Sequence, residues 1–355
     1  MFITGIGTAT PPRRYTKAEC WSAFQESEWL SRLDRRSYAI GETVLRRDNG
    51  ISARHLALDS LAEGFAIDPD TLHRRFATHA PTLATAAALD AIHDADIEAR
   101  DIDAVVVSTC TGYLCPGLTS YLAETLGLRA NVQAFDLVGQ GCGAALPNMR
   151  LADALIVAGA GQHVLSVCVE VSSAAMYLDN DPGVLISACL FGDGAGAAIL
   201  SARLPTGKRS IEWRGGSSVL EPSRRDALRF EQRGGMLRNI LTRPVPALAA
   251  EHAQAVLQTE LVCAGLTTTD IAVWIMHAGG RDVLQALREH IGLSADDLRY
   301  SAAILDEYGN MSSAFVYFVL QAALDDSAPQ GWWWMSAFGA GFSCHGALLA
   351  VGARA

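Results

Sequence analysis

Three side chains far apart along the 355-residue chain have the types needed for thioester chemistry: Cys142, His277 and Asn310. Cys142 lies in Leu137-Val138-Gly139-Gln140-Gly141-Cys142-Gly143-Ala144-Ala145, after a strand-like run (132–136) and before an Ala- and Leu-rich helix-like run (Asn148 to Val157). Flanking glycines permit a tight turn and close approach of a substrate. The start of a helix offers unpaired N–H groups and the positive end of its dipole. Both favour the thiolate, the reactive form of cysteine, so a lowered thiol pKa is expected. A free cysteine is also commonly a small buried apolar residue, so the case for Cys142 depends on its partners.

A thiolate needs a base or a cation beside it. His277 follows an apolar strand and precedes Gly279-Gly280, a setting that sets it apart from the other histidines. Asn310, in Tyr308-Gly309-Asn310-Met311-Ser312-Ser313, could cap a helix or present its amide N–H₂ to an oxyanion. A His and an Asn aimed at one carbonyl oxygen would stabilise an enolate. The triplet suits acyl transfer, alone or followed by carbon–carbon bond formation. Papain-type hydrolases use the same three residue types, so the triplet does not by itself name the reaction.

The elements that must position these residues follow from apolar patterning. Strands are expected at 2–8, 102–109, 163–170, 195–200, 271–276, 332–336 and 346–351, and helices at 81–97, 118–127, 184–190, 245–264, 281–291 and 311–324. Residues 16–60 read as irregular helix and 205–238 as an irregular charged segment. The order repeats: strand 102–109 answers 271–276, the Cys142 turn and helix answers the Asn310 turn and helix, and 195–200 answers 346–351. This is the outline of a duplication, an α/β protein of two βαβ-rich halves, 1–204 and 205–355, packed as one layered body. Strand-end loops of such a body face a common crevice, which predicts that Cys142, His277 and Asn310 meet.

Composition narrows the class further. Half the residues are apolar, 19% are charged and the net charge is −10, which disfavours nucleic-acid binding. The eight cysteines show no metal-type spacing; Cys110 and Cys115, five apart, match no common pattern. No secretory leader and no transmembrane run are expected, so the chain reads as cytoplasmic, reduced and metal-free. Between Arg32 and Arg54 six arginines (32, 35, 36, 46, 47, 54) stand against Asp34, Glu42 and Asp48. Such a run is either a solvated helical face or a docking surface for phosphates, whose geometry Arg forks match.

Gly141-Cys142, Leu190-Phe191-Gly192-Asp193-Gly194-Ala195, His277-Ala278-Gly279-Gly280 and Glu307-Tyr308-Gly309-Asn310-Met311-Ser312-Ser313-Ala314, in this order and spacing, resemble the type III polyketide synthases, the chalcone synthase-like enzymes, of a bacterial type. The resemblance covers nearly the whole chain. It implies the thiolase fold, a five-layered αβαβα body, and a homodimer. It also implies that Cys142 carries the starter and growing acyl chain, that His277 and Asn310 polarise the malonyl thioester as CO₂ leaves, and that Phe191 gates a CoA tunnel. The substrates would be an acyl-CoA starter and malonyl-CoA, with no cofactor, and the product would cyclise to a resorcinol, pyrone or related ring. An acyltransferase or single-condensation ketosynthase on the same fold is the alternative; a non-catalytic partner subunit would lack the three residues. Cys110, Thr111, Ser172, Ala175, Ser187 and Ser312 fall at positions that shape the substrate pocket, and their small size implies room for a long or bulky chain. Asn239 stands where plant members carry a second gatekeeper phenylalanine. Cys115 takes the position that crosses to a partner's active site. The plant Gly-Phe-Gly-Pro-Gly loop reads Ala337-Phe338-Gly339-Ala340-Gly341. Arg46, Arg47 and Arg54 are candidates for the CoA phosphates.

Overall fold

The computed structural model describes residues 1–354. The first half runs β1 (Phe2–Ala9), β2 (Arg14–Thr16), α1 (Lys17–Glu26), α2 (Arg35–Arg46), β3 (Ala53–His55), α3 (Pro69–Ala95), β4 (Ala104–Ser108), α4 (Leu118–Leu126), β5 (Gln133–Leu137), α5 (Ala145–Val157), β6 (His163–Glu170), α6 (Pro182–Leu190) and β7 (Gly194–Ser201). The second runs β8 (Arg209–Leu220), β9 (Leu228–Arg233), β10 (Met236–Leu241), α7 (Val245–Ala264), β11 (Ile271–Met276), α8 (Arg281–Ile291), α9 (Arg299–Tyr308), α10 (Phe315–Asp325), β12 (Gly331–Gly339) and β13 (Ser343–Arg354).

The duplication read in the sequence is present in the sheet order. The first half pairs as β5-β4-β6-β7-β1 and the second as β11-β12-β13-β8. Parallel β4–β6 corresponds to parallel β11–β12, and antiparallel β6–β7 and β7–β1 correspond to β12–β13 and β13–β8. One pairing, Phe2 with Glu212, joins the two into a nine-stranded sheet. α5 and α10 touch strands of both halves, α3 and α4 cover the first set outside, and α7 packs on β8, β12 and β13 with α8 beside it. The result is five layers, αβαβα.

The layers explain the sequence. β4 is buried at every residue, as a strand covered on both faces must be, and reads Ala-Val-Val-Val-Ser without alternation. Helix and strand approach very closely where α3 crosses β1. A Cβ on Gly7 would sit 2.2 Å from the Ala87 carbonyl, and one on Gly5 2.2 Å from that of Ala91. Alanines 84, 87, 88 and 91 of α3 are fully buried on this face.

Three expectations are corrected. α3 begins at Pro69, not 81: Asp68 caps it by accepting the Thr71 N–H, Pro69 occupies the first turn, and the helix continues through Pro81. The segment 205–238 holds β8, β9 and the first half of β10. Its charges belong to strand faces open to solvent and to ion pairs across the β9–β10 hairpin, so it lacks the apolar signature of a core strand. α9 was not foreseen and occupies the approach to Asn310.

Candidate active site

Each of the three residues sits at the end of a core element. Cys142 lies in a single 3-10 turn, 141–143, immediately before α5. Gly141 has φ +55°, and a Cβ on Gly143 would lie 3.0 Å from the His345 ring, so both glycines are required by the turn. His277 follows β11, its N–H bonded to the Ser336 carbonyl at 2.8 Å. Its ring stands edge-on to Phe315 and Phe338, at centroid distances of 5.3 and 5.0 Å. Neither ring nitrogen has a hydrogen-bond partner. Asn310 follows Gly309 (φ +70°) at the end of α9. Its Nδ2 donates to the Gly279 carbonyl at 3.0 Å, and its Oδ1 accepts the Ser312 N–H at 2.8 Å. The carboxamide thus ties the His277 loop to the turn that opens α10.

All three residues line one cavity of about 750 Å³, together with Phe191 and Phe338. Phe191 caps α6 and is held beside Asn310 by two backbone bonds: Asn310 N–H to the Leu190 carbonyl and Gly192 N–H to the Asn310 carbonyl, each 3.0 Å. It also lines a second, inner pocket with Thr111, Ser172, Ala175, Ser187 and Asn239. Phe191 therefore separates the two spaces. The inner pocket is about 20 Å³, room for about one water. Small residues leave no chain-sized space there, contrary to expectation, because Met176, Tyr177 and Phe230 close in on it.

The electrostatics also depart from expectation. Burial pushes the Cys142 thiol up to about 12; the Ser312 hydroxyl, donating to Sγ at 3.2 Å, works against this, and Glu170 adds to it. Burial alone drives His277 down to about 3. The 3-10 turn puts the sulfur inside the protein, where loss of hydration outweighs a helix start. Burial thus favours the neutral form of both the thiol and the imidazole.

Cys110 and Ser312 belong to a chain of contacts leading from Cys142. Ser312 Oγ lies 3.3 Å from Cys110 Sγ, which donates to Glu170 Oε1 at 3.3 Å. Glu170 also accepts from the Thr111 hydroxyl (2.9 Å), the Cys110 N–H (3.0 Å) and Ser313. Burial raises its pKa while these donors, Ser313 foremost, lower it. Glu170 was missed in the sequence; a single carboxylate closing the apolar strand 163–170 was the signal.

The basic run divides. Arg47 lines the large cavity with Arg36 of the same run, joined by Arg243 and Arg281, two residues not put forward from the sequence. Arg46 does not: it is exposed and bonded to Glu42 at 2.7 Å on the outer face of α2. Arg54 is buried and donates to the carbonyls of Ala188 (2.8 Å) and Phe191 (3.0 Å) and to Cys20 Sγ (3.4 Å). It fastens the end of α6 to β3 and is too enclosed to meet a phosphate. Cys115 is exposed and lines neither cavity. Among the described residues no cluster of His, Cys, Asp and Glu is placed to hold a metal ion, and no helix is long and apolar enough to cross a membrane.

Residues 10–212 match the family described as FAE1/type III polyketide synthase-like protein, and residues 222–352 match the chalcone and stilbene synthase C-terminal domain. The chain belongs to the type III polyketide synthases. Among curated relatives, 1,3,6,8-tetrahydroxynaphthalene synthase of Streptomyces peucetius subsp. caesius is 30% identical over 356 residues, 98% of this chain and 92% of that protein. The 3,5-dihydroxyphenylacetyl-CoA synthase of Streptomyces toyocaensis is 28% identical over 335 residues, covering 91% and 83%. Polyketide synthase PKS-I of the brown alga Ectocarpus siliculosus superposes with a TM-score of 0.89 at 26% identity, over 99% of this chain and 98% of that one. Tetrahydroxynaphthalene synthase of Streptomyces coelicolor A3(2) has a TM-score of 0.87 at 23% identity, over 99% of both chains, and shares the fold. The five layers are those of the thiolase fold, and the enzyme is an acyltransferase.

Proposed function

We propose that this polyketide synthase loads an acyl group from an acyl-CoA starter onto Cys142, extends it by decarboxylative Claisen condensation with malonyl-CoA, and cyclises the product. The observation that carries the proposal is the meeting of Cys142, His277 and Asn310 on one 750 Å³ cavity. Neutral His277 takes the Cys142 proton as the thiolate attacks the starter thioester, and CoA leaves as its thiol. Malonyl-CoA then binds with its thioester carbonyl toward His277 and Asn310. Loss of CO₂ leaves an enolate, whose oxygen these two groups stabilise by hydrogen bonding. The enolate carbon attacks the acyl-Cys142 carbonyl, a bond forms, and the sulfur is released for the next round. Arg36, Arg47, Arg243 and Arg281 face the CoA phosphates at the cavity wall; Arg46 and Arg54 do not. No metal or redox cofactor enters, since decarboxylation supplies the driving force. The enzyme acts in the cytoplasm, where CoA thioesters are made, as a homodimer.

The relatives are named for polyhydroxylated aromatic products, which supports ring closure to a resorcinol-type aromatic. The test is incubation with acetyl-, aromatic and long-chain acyl-CoA and malonyl-CoA labelled in the free carboxyl. Labelled CO₂ and a cyclic product are expected, and Cys142→Ala abolishes the product without unfolding the chain. Acylated Cys142 without CO₂ would instead make the enzyme a simple acyltransferase, and absence of both would defeat the proposal.

A further inference from the structure

The β9–β10 hairpin stands apart from the main sheet as a two-stranded ribbon. A hairpin of that size is marginal alone and must be held by something else. Two contacts hold it against α6. The first is backbone packing: a Cβ on Gly183 would sit 2.1 Å from the Leu241 carbonyl, so β10 runs directly over the first turn of α6. The second is Arg238. Its side chain is 10% exposed and reaches three carboxylates: Nε to Asp179 at 2.9 Å, Nη2 to Asp181 at 3.2 Å and Nη1 to Glu231 at 2.7 Å. Its guanidinium also lies 5.9 Å from the Tyr177 ring centre. Asp181 caps α6 through the Gly183 and Val184 N–H groups. The guanidinium therefore links the hairpin, the loop before α6 and the cap of the helix that ends in Phe191.

What this clamp closes is the inner pocket. Phe230 and Asn239 come from the hairpin and are cross-strand partners; Tyr177, Ser187 and Phe191 come from the side to which Arg238 ties it. The pocket is left at about 20 Å³. Two of its polar atoms, Asn239 Oδ1 and Ser172 Oγ, are buried without a hydrogen-bond partner. Such atoms are costly to bury unpaired; if the pocket widened, Ser172 Oγ could donate to a carbonyl of a polyketide chain and Asn239 Oδ1 could accept from an enol hydroxyl of it.

We propose that Arg238 is a specificity-determining positioning residue: by clamping the hairpin to the loop before α6 it holds the inner pocket closed and limits the acyl chain that Cys142 can carry. The inference rests on the proposed condensation at Cys142. Without the guanidinium, Asp179 keeps only Arg233 at 3.9 Å and Glu231 only Arg229 at 3.3 Å, both on the hairpin, and Asp181 loses its cation, so nothing bridges the carboxylates of the hairpin and the loop as Arg238 does. Their repulsion drives the hairpin away from the loop, and the pocket opens behind Phe191.

The test compares wild type, Arg238→Gln and Arg238→Lys with acetyl-, octanoyl- and myristoyl-CoA and malonyl-CoA, reading kcat and KM for each starter and the number of extensions by mass spectrometry. For Arg238→Gln the myristoyl-to-acetyl ratio of kcat/KM is expected to rise about tenfold, the order of discrimination an apolar pocket supplies, with longer products. Arg238→Lys, which keeps the charge, should stay near wild type. A uniform fall for all starters, or an unchanged ratio in a folded variant, overturns the inference. Should Arg238→Gln fail to fold, Glu231→Gln and Asp179→Asn each remove one contact and should shift the ratio part of the way; no shift in either also overturns it. A wild type that condenses no starter defeats the proposed function instead, which keeps the two failures apart.

Discussion

Burial of Cys142 and His277 gives the site a specific titration signature. Inside the protein each charge alone is unfavourable, and in the proposed mechanism the thiolate forms together with the imidazolium. Replacing His277 by Ala should slow Cys142 alkylation by iodoacetamide near neutral pH, because the thiol, raised to about 12 by burial, then lacks the base proposed to take its proton. A rate identical to wild type would remove His277 from thiol activation. In the proposed mechanism Asn310 has a different part, acting on the enolate and not on the thiol. Asn310→Ala should therefore still load the starter, visible as acyl-enzyme by mass spectrometry, while condensation falls by about 10²–10³-fold, the usual effect of losing one oxyanion donor. Failure to load would mean that its bonds to Gly279 and Ser312 serve the shape of the site more than the chemistry.

At the scale of elements, the placement of the site depends on close backbone contacts. The α3–β1 crossing brings a helix carbonyl to where a Gly7 side chain would be. Gly7→Ala should destabilise the fold by about 3 kcal/mol through overpacking, read as a lower midpoint in urea. Arg54 works at another junction, where β3, the end of α6 and the Gly309 turn meet. A Cβ on Gly309 would lie 3.0 Å from Arg54 Cγ, so the arginine also shapes the turn carrying Asn310. Arg54→Leu leaves the Ala188 and Phe191 carbonyls without this donor, and should cost about 2–4 kcal/mol and broaden access past Phe191. An unchanged melting temperature would show that other donors replace it.

For the whole molecule, two buried histidines contribute to the acid limb of stability, beside carboxylates such as Asp103 and Glu307 whose values are lowered in the fold. Burial holds His277 near 3 and His345 near 4, against an ordinary 6.5. Below pH 6.5 the unfolded chain takes up protons that the folded chain refuses, so stability falls with pH through the window down to those values. Glu170 and Asp193, raised by burial, act the other way: they favour the fold at low pH and lose that contribution as pH rises through their raised values. His345→Gln should flatten the acid limb, recovering roughly 2 kcal/mol at pH 4.5 relative to pH 7. Melting curves across that range check it, and a parallel loss in both proteins would contradict it. Exposed apolar residues, Val138 at 68% and Leu220 at 64% among them, accord with the proposed homodimer. Sedimentation should give twice the chain mass of 37.8 kDa.

The residues alone point to thioester chemistry and to the repeat. Cys142, His277 and Asn310 were legible because turn glycines and strand ends are local features, and the strand and helix runs at 163–170, 245–264, 271–276 and 281–291 because a buried face imposes its period on the residues that form it. Tertiary structure alone decided what depends on distance between remote segments. Arg46, Arg47 and Arg54 look alike in a basic run, yet one is solvated, one lines the cavity and one is buried, because α2 and β3 turn them to different neighbours. The size of the inner pocket was hidden for a like reason: small residues at 111, 172 and 187 are closed over by Phe230 of the distant β9 and by Met176 and Tyr177, near Ser172 in sequence but turned onto the pocket only by the fold. The neutral state of Cys142 followed from burial, which a turn-and-helix signature does not report. Side-chain identity fixes which reactions are available; packing fixes hydration, and with it charge and space.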